Sequence, residues 1–176
     1  VFIAVMVWVS YRGIVIAEWL QNVLVAIQYI ALGVLVVVAL IAVAGPNRPD
    51  TAIPIEVSWF NPLGFFAEDG GGFAALTEGM LLMVFIYWGW DTILSLNEET
   101  KERDKTPGRA AVAATLILVA TYLLTTVAAI SYAGVGTEGI GLGNEDNAGD
   151  VFQAISEPVL GDWSWIVLLA VLVSAV

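Results

Sequence analysis

The sequence predicts an all-α membrane protein, and three observations carry that reading. Hydrophobic residues make up 59% of the 176 and charged residues only 13%, against about 25% charged in ordinary soluble domains. Mean hydropathy is +0.87. Three apolar stretches, 23–44, 79–97 and 110–137, are long enough to cross roughly 30 Å of hydrocarbon at about 20 residues each. The first and third carry no charge, and the second carries only Asp91.

The elements follow in order. A partial helix is expected over 1–10, because 1–9 is apolar but lacks the basic leader and small-residue cleavage site of a signal peptide. Arg12-Gly13 makes a turn into a helix over 14–44, with Glu18, Gln21 and Asn22 near the interface. Gln28 lies deeper, where an amide needs an interhelical partner. Gly45-Pro46 closes this helix, and Pro49, Pro54 and Pro62 keep an outer loop over 45–72 irregular. A broken helix is expected over 73–98 and a cytoplasmic loop over 99–107. A helix over 108–134 follows, with Pro107 near its first turn. An outer loop over 135–161 contains a stretch, 150–157, that can form a short amphipathic helix. A last apolar run, 162–176, is read as another partial helix. The whole is expected to be one transmembrane domain, an internal fragment of a longer polytopic protein. No repeat of 20 to 50 residues is present, which excludes a solenoid.

Charge placement orients these spans. Arg12, Lys101, Arg103, Lys105 and Arg109 fall on one side and Arg48 alone on the other, so the first group is expected in the cytoplasm. Loops 45–72 and 135–161 are then extracellular. Most acidic residues in and beside them read as solvated surface.

Composition also removes chemistries. With no Cys and no His, thiolate nucleophiles, imidazole bases and the usual zinc ligands are excluded, and no metal or cofactor is expected. Asp91 has no acidic, His or Cys partner within these helices, so an intramembrane enzyme is disfavoured. Gly134, Gly136 and Gly139 satisfy GxGxxG, but they follow a membrane helix rather than a strand. Glu138, Glu145 and Asp146 beside them would repel a pyrophosphate. Neither a nucleotide site nor a nucleic-acid partner is expected.

The most informative stretch is 84–109, VFIYWGWDTILSLNEETKERDKTPGR. A carboxylate at membrane depth costs about 2.5–3.5 kcal/mol on insertion scales and usually faces a protein interior or a watery cavity. Gly89 near it permits backbone angles that other residues avoid, and the rings of Tyr87, Trp88 and Trp90 can wall a pocket. Two readings stay open at this point. In one, the helix unwinds near Gly89 and lines a solute site; in the other, Asp91 makes an interhelical hydrogen bond that packs a non-transporting subunit. The second reading expects Asp91→Asn to preserve stability and no solute to bind.

Phe85-Ile-Tyr-Trp-Gly-Trp-Asp91, followed by Asn97-Glu-Glu-Thr and Thr106-Pro-Gly-Arg109, resembles the sixth helix and following cytoplasmic loop of amino acid-polyamine-organocation permeases. Ser10-Tyr-Arg-Gly13 with Gln21 resembles the turn into their fifth helix, and Leu160-Gly-Asp162 the start of the eighth. Essentially the whole chain can be laid on helices four to eight of that family. The resemblance implies part of a five-plus-five inverted-repeat bundle of the leucine-transporter type, with a broken sixth helix. It also implies secondary active transport of amino acids or related amines by alternating access, with a proton or sodium as candidate coupling ion. Phe85 matches the aromatic that caps the pocket. Ile86, Trp88 and Gly89 match the unwound backbone whose carbonyls receive an ammonium, and Asp91 matches the acidic position after the glycine. Tyr87 belongs to a bulkier run than the family's common pattern, which narrows the expected pocket. The expected fifth helix has no Lys, so proton coupling through such a lysine is unsupported. The first-helix half of the site lies outside this sequence.

Overall fold

The structure is a computed structural model, and it describes residues 7, 11, 14–46, 48–61, 63–66, 71–86 and 105–174. Their regular secondary structure is all helical, with no strand among them. Five α-helices are described: α1 (Ile14–Ala44), α2 (Gly72–Ile86), α3 (Thr106–Ala133), α4 (Val151–Leu160) and α5 (Trp165–Ser174). Single 3₁₀ turns occupy Val57–Phe60, Gly64–Phe66, Glu145–Asn147 and Gly161–Trp163.

Among the described residues two helices are long and apolar enough to cross a bilayer, Glu18–Ala44 within α1 and Thr106–Ala133. With 31 and 28 residues they extend about 46 and 42 Å at roughly 1.5 Å per residue, more than the roughly 30 Å of hydrocarbon. Length alone does not separate such helices from the core helices of a soluble protein, but burial does. Only 22% of the apolar window in α1 and 6% of that in α3 is buried. Val34, Val37 and Ile41 on α1, and Leu116, Ile117 and Leu124 on α3, are exposed. Water would penalise so much open aliphatic surface, whereas lipid or further helices accommodate it. Three of the hydroxyls on α3 fit the same environment. Thr115 and Thr121 donate to the carbonyls of Ala111 and Ile117 at 2.9 and 2.8 Å, and Ser131 donates to that of Val127. Each hydroxyl proton is thus satisfied inside the helix.

The chain divides into two compact units, Val1–Pro54 with Leu124–Val176, and Ile55–Leu123. The first holds the core. Leu35, Val36 and Ala39 of α1 cluster with Ala128, Tyr132 and Ala133 of α3, Ile155 of α4 and Val167 of α5. On α1 the buried positions Ala31, Leu35 and Ala39 recur every four residues, one face of a helix. The alanines keep that face shallow, which lets another helix approach closely. Ala39→Phe should therefore lower the stability of the intact protein in thermal unfolding by about 1–3 kcal/mol through overpacking. Val37→Phe, two residues away on the 55%-exposed side, should change little.

In the second unit, Asn61 begins a side-chain-stabilised turn, its Oδ1 accepting from the Leu63 N–H at 3.0 Å. Gly71 and Gly72 take φ of 71° and 63°, left-handed values that favour glycine. Pro107 sits in the first turn of α3, where its missing N–H costs nothing.

Candidate functional site

The candidate substrate segment begins at the end of α2. Midway along that helix is a short polar patch: Thr77 donates to the Phe73 carbonyl at 2.8 Å, and Glu78 is exposed. From Met80 on it is wholly apolar, and Met80 to Phe85 are all exposed. Phe85 and Ile86 are its last two described residues, with Phe85 71% exposed. Tyr87, Trp88, Gly89 and Asp91, together with the expected break and the motif that follows to Asp104, lie outside the described residues. Of the six sequence-derived positions, the structure thus places two, adjacent on one helix.

A second group concerns the extracellular side as read from charge. The GxGxxG glycines lie in a loop, 134–150, whose polar groups bond to one another. Gly134 has φ 69° and Gly139 φ 57°. The Leu142 N–H donates to the Gly134 carbonyl and the Gly143 N–H to that of Gly136, both at 3.0 Å. The Gly139 carbonyl accepts from the side-chain amides of Asn144 and Asn147, at 2.8 and 2.7 Å. A Cβ on Gly141 would fall 2.1 Å from the Gly136 oxygen, so the glycines here serve close backbone packing. Carbonyls and glycines are thus committed to the loop's own closure, and the acidic residues around them disfavour an anion. The structure supplies a physical purpose for a motif that spacing alone could only reject as a nucleotide site.

Beyond that loop, α4 starts at Asp150, whose Oδ1 accepts from the Gln153 N–H at 3.0 Å in the usual manner of an N-cap. Ile155 and Ser156 are buried while Gln153 and Glu157 are exposed, the two-sided pattern of an amphipathic helix. Ser156 donates to the Gln153 carbonyl at 3.2 Å. Against this surface lies a small apolar hollow of about 10 Å³, lined by Leu35, Val36, Ala39, Ala128, Phe152 and Ile155 among others. That is room for one water at most, and it cannot hold an amino acid. Gln28 is half-buried on α1.

Sequence reasoning had no means of finding the segment 48–53. Its Thr51 hydroxyl donates to the Tyr132 carbonyl at 2.9 Å, and its Ile53 N–H donates to the Ser131 carbonyl at 2.8 Å. These partners are about 80 residues apart in sequence, and neither carries a local signal of the other.

The described residues hold no group of three or more His, Cys, Asp or Glu placed to bind a metal ion. What they define is a helical membrane protein whose long helices present aliphatic surface outward. The chain belongs to the amino acid permease family, whose sequence model matches residues 1–176. Neither the curated proteins nor the solved structures give a significant match. Membership suggests amino acid transport across a membrane, and implies a transporter rather than an enzyme, with an amino acid as substrate and lipid as surroundings.

Proposed function

We propose that this chain is part of a secondary active permease that moves amino acids or related amines by alternating access, one helix bundle working against a scaffold. The observation that carries this reading is the family match across the full 1–176. The substrate segment is 85–91. In it, peptide carbonyls around Ile86, Trp88 and Gly89 accept the substrate ammonium, Phe85 caps the pocket, Tyr87 narrows it, and Asp91 adds negative charge beside the break. Freed carbonyls are tolerated at membrane depth only where they line a cavity or are buried in protein. A cationic amine is a partner that repays their desolvation.

The protein is multi-pass, with Arg12 and the 101–109 segment on the cytoplasmic side. A proton or sodium gradient drives the cycle. Reconstitution of the intact protein in liposomes, loaded and assayed across amino acids with imposed pH or sodium gradients, tests the proposal. Saturable uptake of at least one amino acid, accelerated by one of the gradients, is the expected result. Uptake indistinguishable from empty liposomes for every amino acid and amine would remove it. In that case the non-transporting subunit, with Asp91 packing a helix interface, would be the better account.

A further inference from the structure

The last turn of a helix leaves carbonyls without intrahelical partners, and at a buried end something must satisfy them. At the end of α3 the chain 48–53 does so. The Ser131 carbonyl accepts from the Ile53 N–H at 2.8 Å and the Tyr132 carbonyl from the Thr51 hydroxyl at 2.9 Å. Ser131 is 0% and Tyr132 5% exposed, so these are sheltered bonds. The segment is also stiffened before it reaches α3. The Ala52 N–H donates to the Pro49 carbonyl at 3.0 Å, and the Arg48 guanidinium donates across the same turn to the Ala52 carbonyl. Pro49 within it and Pro54 just after it have fixed φ. Approach to α3 is close enough that a Cβ on Gly134 would lie 2.7 Å from the Thr51 oxygen. Because 48–53 follows the end of α1 after only three residues, it ties two helix ends together.

We propose that residues 48–53 are a latch that makes the C-terminal ends of α1 and α3 travel as one body through the transport cycle. The latch rests on the transport reading for its purpose but not for its existence. A preformed turn spends little ordering entropy when it docks, and two sheltered hydrogen bonds with tight backbone contact oppose separation. Motion in the cycle must then occur elsewhere than between these two ends.

Hydrogen exchange on the intact protein in lipid nanodiscs, read by mass spectrometry with and without the full set of protein amino acids, tests this. The Ile53 amide should exchange slowly and at the same rate in both conditions. Thr51→Val should speed that exchange by up to about tenfold, the worth of one neutral hydrogen bond, and slow amino acid uptake. Thr51→Ser, which keeps the hydroxyl, should restore both. Arg48→Gln, which loosens the turn without touching α3, should give a smaller change in the same direction. Fast exchange of the Ile53 amide in either condition, or opening that depends on substrate, overturns the latch. So does faster exchange in Thr51→Val with uptake unchanged. If the intact protein takes up no amino acid, the transport reading fails while the exchange rates still decide whether the two ends are tied.

Discussion

Gly89→Leu in the intact protein is expected to reduce amino acid uptake by roughly ten- to a hundredfold while the protein still reaches the membrane at normal levels. The magnitude follows from the interaction proposed for the segment. A hydrogen bond to a charged group contributes about 1.5–3 kcal/mol, and a factor of ten corresponds to about 1.4 kcal/mol. Leucine disfavours the backbone angles that glycine permits, and its side chain occupies space the solute would take. It is also a good helix former, so the substitution favours a continuous helix over a break. Phe85→Ala should act differently. Removing a ring that covers a bound solute forfeits up to about 1.5–3 kcal/mol of apolar burial, which appears as weaker apparent affinity more than as a lower maximal rate. Uptake kinetics at varied substrate concentration, normalised to surface expression, separate the two. Normal transport in both variants would remove 85–91 as the substrate segment.

Gly134→Ala should produce the largest loss of stability, about 2–4 kcal/mol from two costs that act together. The first is conformational: Gly134 has φ 69°, and the left-handed region costs an L-residue about 1–2 kcal/mol. The second is steric, because the added carbon would sit 2.7 Å from the Thr51 carbonyl oxygen and 3.5 Å from the end of the Ile53 side chain. Backbone atoms cannot rotate away as a side chain can, so relief requires residues 51–53 to lift from α3. Gly136→Ala provides the control from the same loop. Its φ is not positive and no atom lies within 4 Å of its added carbon, so its unfolding temperature should stay close to the parent's. Equal effects of the two substitutions, measured by thermal unfolding in the same detergent, would show that neither the turn nor the close approach matters.

The elements differ in how readily they could be read. Apolar run length is a property of consecutive residues, and the all-helical character and the two membrane-capable helices among the described residues, two of the three expected spans, follow from it. The amphipathic stretch after the Asp150 cap has a comparably local signal, and a helix forms there as Val151–Leu160. Gly134 is an intermediate case. Its place just past a helix suggests a turn, yet nothing nearby in sequence reveals that Thr51 occupies the space where a side chain would go. The face formed by Ala31, Leu35 and Ala39 was equally hidden, since in an apolar helix every side looks fit for burial. For the substrate segment, Phe85 and Ile86 are placed on α2, whereas Tyr87, Trp88, Gly89 and Asp91 rest on the sequence and on the family to which the chain belongs.

What this chain's sequence determined alone is therefore its solvent and its class. A long charge-free run must be helical in lipid, because only a helix satisfies every peptide group within one segment. Which helix faces meet, and which loop closes the end of α3, was decided only by tertiary structure. The hydrogen bonds from Thr51 and Ile53 join residues about 80 positions apart, and such pairing depends on the path of the chain in space rather than on the propensity of any residue in it.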